Sequence, residues 1–472
     1  MTINTKNIQD LLAQVEKQIA EEEDLSPALK TSLELMVMVI NLLAQKLGLD
    51  STNSSIPPSA DPNRKKKSKS QGDKKPGGQK GRKGINLKPV DKPDIIHQIP
   101  VDINTLPQGQ YRAGGYERRQ VFDIDISMIV TEYQAQILNN EKGQHFVAPF
   151  PEGVSRPAQY GPGVKTNAVY MSLFQLTPYN RVQDHFQEQL DIPISAGSIF
   201  NFNEEAHERL EVFDQWVKNK LILSELIHAD ETGINVGGDR FWLHSASNPW
   251  YTLFYPHKKR GCEAIEDMGV LPSFQGILCH DHWKPYYNYG KEHVLCNAHH
   301  LRELEWAKDK DNQQWASKMM ELLNKINKVV EDCGGCLDPP EADKFIQEYR
   351  DIFLEAEKEC PPPDPENRKG KRGRLPRSKS RNLLERLRDR ESEVLRFMTD
   401  KRVPFSNNLA EGDIRMTKVQ QKISGCFRSW QGAEMFCRVR SYISTCRKHG
   451  VSATVGLRLL FEGRWPEFMD IN

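Results

Sequence analysis

Two short apolar runs that each end on an aspartate constrain this chain more than any other feature. Leu226-Ile227-His228-Ala229-Asp230 has the length and apolar content of a short strand closing on a carboxylate. Residues 240–244 (RFWLH) and 251–255 (YTLFY) read as two further strands, so the three form a meander. Residues 259–268 then read as a helix, and residues 274–281 (FQGILCHD) as a fourth strand that again ends on an acid, Asp281. Residues 294–296 supply a short fifth strand.

The order β-β-β-α-β, with one aspartate in the first strand and a second closing the fourth, predicts an α/β fold with a ribonuclease H-like catalytic core. In such a sheet the first and fourth strands are neighbours, so both carboxylates can converge on one pair of divalent cations without a long loop. A third acid has to come from a helix packed across the sheet. Glu411, in Ser406-Asn407-Asn408-Leu409-Ala410-Glu411, is best placed. The same residues admit a plainer reading, with Asn408 as an N-cap, Glu411 three residues later at capping-box spacing, and Arg415 at i+4 as an ion-pair partner. On the local pattern alone the cap is the stronger reading.

At 472 residues and 38% hydrophobic content, the chain can bury a substantial core divided among two to four units. No stretch approaches the roughly 18 uncharged apolar residues of a membrane span, and the N-terminus MTINTKNIQDLL lacks an apolar signal segment. The expected compartment is the cytoplasm, with no membrane partner. Nine cysteines, all between Cys262 and Cys446, lack the spacing of a secreted disulfide framework and read as reduced thiols. Cys333 and Cys336 form one CxxC, which without a second pair reads as a turn rather than a zinc site.

The formal charge of +1 hides strong local asymmetry. Residues 1–55 carry Leu11, Leu12, Val15, Ile19, Leu33, Leu35, Met36, Val39, Ile40, Leu42 and Leu43 at helical spacing, predicting two amphipathic helices that either self-associate or pack as a hairpin. Residues 56–90 form a Pro/Gly/Lys-rich linker. Within it, residues 64–83 hold ten Lys/Arg, among them Lys65, Lys66, Lys80 and Arg82, against the single acid Asp73. That density suits phosphate neutralisation, and a solvated linker is the alternative. Residues 91–155 read as a small β-rich module, and residues 156–225 as helical. There the turn-like residues 191–194 and a second helix starting near Ser195 suggest a helix-turn-helix or an ordinary structural hairpin.

The proposed core runs over residues 226–300 and is completed by residues 404–472. Between them, residues 301–403 read as a helical insertion carrying a basic run from 368 to 381 that includes Arg372 and Arg374. Beyond Glu411, Arg415, Lys418, Lys422 and Arg428 recur as a basic stripe. His293, Cys296, His299 and His300, with His280 and His282 beside Asp281, raise two readings: hydrogen bonding around the sheet, with Arg302 or His299 near phosphate, or a transition-metal site.

Four ordered blocks, HADETGINVGGDRFWLH, CHDHWKPYY, CNAHHLREL and PFSNNLAEGDIRMTKVQQKISGCFRS, together resemble the transposases of the insertion sequence 66 family. NSSIPPSAD, KPGGQKGRKG and RGRLPRSKSRNLLERL extend the resemblance over most of residues 50–465. It implies DDE-type cleavage of transposon ends and strand transfer by Asp230, Asp281 and Glu411, which would hold two Mg²⁺ or Mn²⁺ ions. It also implies DNA as partner, and the basic runs read above offer Lys65, Lys66, Lys80, Arg82, Arg302, Arg372, Arg374, Arg415, Lys418 and Lys422 for the contact. A homo-oligomer, accessory proteins of the same element, and a place at the nucleoid in the bacterial cytoplasm complete the expectation. A non-catalytic, domesticated DNA-binding protein and a ribonuclease H-like nuclease remain as alternatives. Such transposases often carry a cysteine-based zinc unit in the β-rich module, yet no cysteine precedes Cys262 here, so no zinc is expected.

Overall fold

The computed structural model describes residues 26–47, 87–124, 126–364 and 377–470, with the isolated positions 15, 18, 19, 22 and 375. The basic residues Lys65, Lys66, Lys80, Arg82, Arg372 and Arg374 lie outside the described residues. Helix α1 (Pro27–Leu47) buries Val37 with Ile19 and Leu33, while Leu35, Met36, Val39 and Ile40 face outward.

Residues 87–150 depart from the expected β-rich module. Among the described residues there, only one hairpin forms, β1 (Ile137–Asn139) paired antiparallel with β2 (His145–Val147). Val121, Phe122, Ile129, Val130, Leu138 and Phe146 are all exposed, so these apolar side chains are not packed into a core. The physical reason is that strand-forming runs need partners, and a lone two-stranded ribbon is marginal.

Four helices follow: α2 (Pro162–Val169), which continues into a π-helical turn at Tyr170–Phe174, then α3 (Tyr179–Leu190), α4 (Ala196–Arg209) and α5 (Glu211–Ile222). The sequence reads residues 164–190 as continuously helical, but Leu176 takes a left-handed conformation (φ 62°) and Pro178 starts a new helix. A tight turn through Asp191 (φ 48°) leads to α4, whose Ser195 N-cap accepts the Ser198 amide at 3.0 Å. Helix α4 sinks Ile199, Phe202 and Ala206 into the main core. Of the side chains it leaves partly or fully exposed, Glu204, Glu205 and Glu208 are acids, a poor complement to phosphate.

The sheet has five strands in the order β5-β4-β3-β6-β7: β3 (Leu226–Val236), β4 (Asp239–Ser247), β5 (Thr252–His257), β6 (Ile277–His280) and β7 (Glu292–Leu295). The meander β3–β5 is antiparallel, and β6 and β7 lie parallel to β3 on its other side. Helix α6 (Cys262–Met268) leads from β5 towards β6. The two-residue turn between β3 and β4 uses Gly237 and Gly238, both at positive φ, as a tight hairpin requires. Gly276, just before β6, sits so close to the start of β3 that a Cβ there would lie 2.5 Å from the Glu225 carbonyl.

Alternation along β3 sends successive side chains to opposite faces. Ile227 and Ala229 join a core with the helices α2–α5, whereas Leu226 joins Ile277, Cys279 and Val294 in a second core. That second core is built mainly by α7 (Asn297–Asp311), α8 (Gln314–Asp332), α9 (Pro339–Glu359), α10 (Lys379–Asp389) and α11 (Glu391–Leu395), around Trp315, Ile326, Tyr349 and Leu384. Cys333 and Cys336 flank the turn between α8 and α9, where Gly334 and Gly335 have positive φ.

Helix α12 (Asn408–Ser424) packs across β3 and β4, and the chain beyond it returns to β3, with the Phe427 amide donating to Asn235 O at 2.9 Å. Helix α13 (Trp430–Lys448) covers the sheet edge at β5, where its Ser441 and Thr445 hydroxyls accept the Phe254 and Thr252 amides at 2.8 and 3.1 Å. Helix α14 (Ala453–Phe461) packs on α2. Among the described residues, no helix is long and apolar enough to cross a membrane.

Candidate active site

The parallel pairing of β3 and β6 sets Leu226 against Ile277, Ile227 against Leu278 and His228 against Cys279. Continued by two residues, this register brings Asp230 opposite Asp281. Asp230 Oδ1 accepts the Glu231 amide at 2.9 Å, and Asp281 Oδ1 accepts the Trp283 amide at 3.0 Å. The turn that carries this second bond passes through His282 at φ 74°.

Glu411 comes to the same place from α12, and the local reading of it as part of a helix cap does not hold. Asn407, not Asn408, is the N-cap residue, and its side chain makes no capping bond. Its Oδ1 accepts from His228 Nδ1 at 2.8 Å, and its Nδ2 donates to the Ala229 carbonyl at 2.8 Å. The Asn407 amide also donates to Cys296 Sγ at 3.1 Å. One asparagine thus ties the start of α12 to the strand that carries Asp230. Glu411 turns towards α7 instead of Arg415, with Oε1 3.4 Å from His299 Nδ1, 3.5 Å from Arg302 Nη2 and 3.9 Å from Cys296 Sγ.

Burial, reinforced by the charges of Glu231, Asp281 and Glu411, holds the Asp230 carboxyl well above the usual carboxylate range. A fourth acid, Glu231, is also raised, by burial and by Asp281, against hydrogen bonds from Tyr286 and Arg260 that favour its charged form. Arg260 donates to Glu231 Oε1 at 2.5 and 2.9 Å and lies over the rings of Trp242 and Trp283, at 4.9 and 4.6 Å from their centroids. The charges of these acids act on one another, and carboxylate oxygens are the donor type of a hard, oxygen-seeking dication.

The expected basic residues divide. Arg302 stands beside Glu411, with Nε donating to Ala298 O at 3.2 Å. Arg415, Lys422 and Arg428 are exposed. Lys418 is partly buried: its ammonium donates to Gly233 O at 2.7 Å and burial lowers its pKa. Here α12 crosses β3 at a residue with no side chain to shield its carbonyl. The basic run in the helical insertion is corrected at its end: Arg381 is buried against Glu357, Glu385 and the Cys360 carbonyl, Arg377 pairs with Glu385, and Lys379 lies over the Trp306 ring. These side chains hold the insertion together and do not form a free clamp.

The histidines hydrogen-bond around the sheet: His280 Nε2 to His293 Nδ1 at 3.3 Å, His282 Nδ1 to Tyr287 at 2.5 Å, and His300 Nδ1 to Asn297 at 3.0 Å. Burial lowers all four, His282 to about 3. Among the described residues, Cys296, His299 and Glu411 form the one group of three whose metal-binding atoms all lie within 4.8 Å of one another. Sequence reasoning missed Asn407, Glu231 and Arg260. Glu231 adjoins Asp230 and was open to notice, whereas the roles of Asn407 and Arg260 depend on contacts far along the chain.

A family model described as "Transposase IS66 family" matches residues 157–435, more than half of the chain and a span that includes Asp230, Asp281 and Glu411. A second, described as "Family of unknown function (DUF6444)", matches residues 4–88. No curated protein matches the chain.

Proposed function

The chain belongs to the IS66 family of transposases, and from that premise we propose that it cleaves transposon ends and transfers the strands to target DNA by DDE chemistry on a ribonuclease H-like core. The observation that carries this reading is the convergence of Asp230 and Asp281, from adjacent parallel strands, with Glu411 from α12, close enough that their charges raise Asp230. The strand order β5-β4-β3-β6-β7, with its antiparallel meander and parallel pair, supports the core assignment.

Asp230, Asp281 and Glu411 would hold the metal, Mg²⁺ or Mn²⁺ at two per site. When bound, it activates a water or a DNA 3′-hydroxyl for in-line attack and stabilises the leaving oxygen. The protein's own part is to hold three carboxylates in register. Asn407 fixes the helix that carries Glu411, and Arg260 and Tyr286 keep Glu231 aside in hydrogen bonds of its own. Arg302, Arg415 and Lys422 are proposed to meet DNA phosphates near the trio, and Lys65, Lys66, Lys80, Arg82, Arg372 and Arg374 to add sequence-independent affinity that falls steeply with salt. Residues 1–55 are proposed to mediate oligomerisation, and residues 156–225 to contribute to DNA contact.

The test is strand transfer from pre-cut element ends with Mg²⁺ or Mn²⁺, comparing the wild type with Asp230→Ala, Asp281→Ala and Glu411→Gln. Each variant should still shift DNA in a gel but lose product to background. Equal activity in Asp230→Ala sinks the assignment, and cleavage without joining points to a nuclease of the same fold. DNA binding with no cleavage by the wild type favours a non-catalytic binding protein.

A further inference from the structure

Beside the acidic trio stands a group of different chemistry. Cys296 precedes α7 and His299 lies one turn on, so a C-x-x-H spacing presents both side chains to the same neighbour, Glu411. The ligand atoms of the three residues all lie within 4.8 Å of one another. Glu411 Oε1 is 3.9 Å from Cys296 Sγ and 3.4 Å from His299 Nδ1. Around tetrahedral zinc, with Zn–S of about 2.3 Å and Zn–N or Zn–O of about 2.0–2.1 Å, neighbouring donors lie roughly 3.3–3.6 Å apart. The two donor pairs that include Glu411 thus stand within about half an ångström of that spacing, and the third pair lies within 4.8 Å.

Two independent features point to a ligand there. His299 Nδ1 is buried and has no hydrogen-bond partner, although it faces Glu411. The Cys296 sulfur accepts the Asn407 amide at 3.1 Å, an outer-shell donor of the kind that stabilises a metal-bound thiolate. Arg302, 3.5 Å from Glu411 Oε1, is the nearby cation that an incoming ion displaces from the carboxylate.

We propose that Cys296, His299 and Glu411 form a site for a thiophilic dication of the zinc class, which shares Glu411 with the acidic trio and silences it when filled. The site departs from the sequence expectation of no zinc. The silencing rests on the reading of Glu411 as the third acid; the binding does not. Hard Mg²⁺ takes the oxygen donors of the trio, whereas thiol and imidazole select a softer ion, so the two sites compete through one carboxylate.

Co²⁺ is the spectroscopic probe, added to the full chain carrying Cys333→Ser and Cys336→Ser to remove the exposed cysteine pair. One equivalent should give thiolate-to-cobalt charge transfer and tetrahedral d–d bands that Zn²⁺ bleaches and excess Mg²⁺ leaves unchanged. Cys296→Ser should lose the charge-transfer band. His299→Gln, which keeps the thiol, should weaken cobalt binding about 10-fold or more. A parent without the band, or a Cys296→Ser protein that retains it, overturns the site. Asp230→Ala should keep the full spectrum, so a failure of the catalytic reading leaves this result intact. For the silencing, Mn²⁺ bound to the parent is followed by electron paramagnetic resonance: one equivalent of Zn²⁺ should release it, and should not release it from Cys296→Ser. Cobalt binding without manganese release overturns the silencing.

Discussion

The side chain of Asn407 makes no capping bond to its own helix; instead Oδ1 accepts from His228 and Nδ2 donates to the Ala229 carbonyl, 178 residues away in sequence. Both partners are buried, so Asn407→Ala strands two polar groups, at about 1–3 kcal/mol each. The urea midpoint should fall accordingly. Mn²⁺ affinity should fall as well, because Glu411 loses its tether to the Asp230 strand; an unchanged affinity in folded Asn407→Ala would show that α12 is positioned without it. His244 offers a second residue-scale prediction. Burial lowers its pKa from 6.5 to about 4, aided by His257 and Arg260 and opposed by a bond to the Lys259 carbonyl. The unfolded chain therefore binds the extra proton between pH 4 and 6.5, so the folded state gains stability as pH rises through that window and loses it as pH falls. The full effect is about 3 kcal/mol. Denaturation midpoints from pH 4 to 7 should rise in the wild type and rise less steeply in His244→Gln, because the other buried histidines keep their share of the effect.

The elements that set the site depend on close approach. At Gly276, the start of β6 passes so near Glu225 that an added methyl would meet its carbonyl at 2.5 Å and the Phe274 ring at 2.6 Å. Gly276→Ala must push β6 away from β3 and carry Asp281 out of register with Asp230, at a typical overpacking cost of about 1–3 kcal/mol. Strand transfer should fall further than the loss of folded protein explains, which parallel activity and unfolding measurements would reveal. The strand positions of Asp230 and Asp281 were legible in the sequence because a short apolar run ending on an acid is a local pattern, and the neighbouring of their strands follows from the strand order. Glu411 was legible only through the family resemblance, since its local surroundings spell a helix cap. Asn407 was not legible, because its partners arrive only when the sheet has formed. The runs in residues 91–155 misled for the converse reason: strand propensity is local, but a sheet needs partners that this stretch does not supply.

At the scale of the whole molecule, the boundary between packed and unpacked chain falls near residue 160. Tyr160 donates to the Pro193 carbonyl at 2.5 Å and meets Phe202 edge-on, with ring centroids 5.5 Å apart, so from here the chain is anchored to α4 and the main core. At the other end, Asp470 accepts from Trp216 at 2.8 Å and Lys220 at 3.2 Å, which holds the last described residues against α5. Between residues 87 and 150, by contrast, apolar side chains such as Val121, Ile124 and Ile129 are exposed, and among the described residues strand pairing is confined to one hairpin. Proteases cut where backbone can leave the fold at little cost, and this stretch makes few contacts to lose. Limited trypsin digestion of the full chain should therefore leave a resistant fragment whose N-terminus lies between residues 143 and 166, with cleavage after Lys142 in the hairpin turn and after Lys165 in α2 as natural limits. Mass spectrometry of the fragment would fix both ends. A stable product that still contains residues 87–130 would mean that these exposed side chains are covered in solution, and its size in light scattering would then show whether a second copy of the chain covers them.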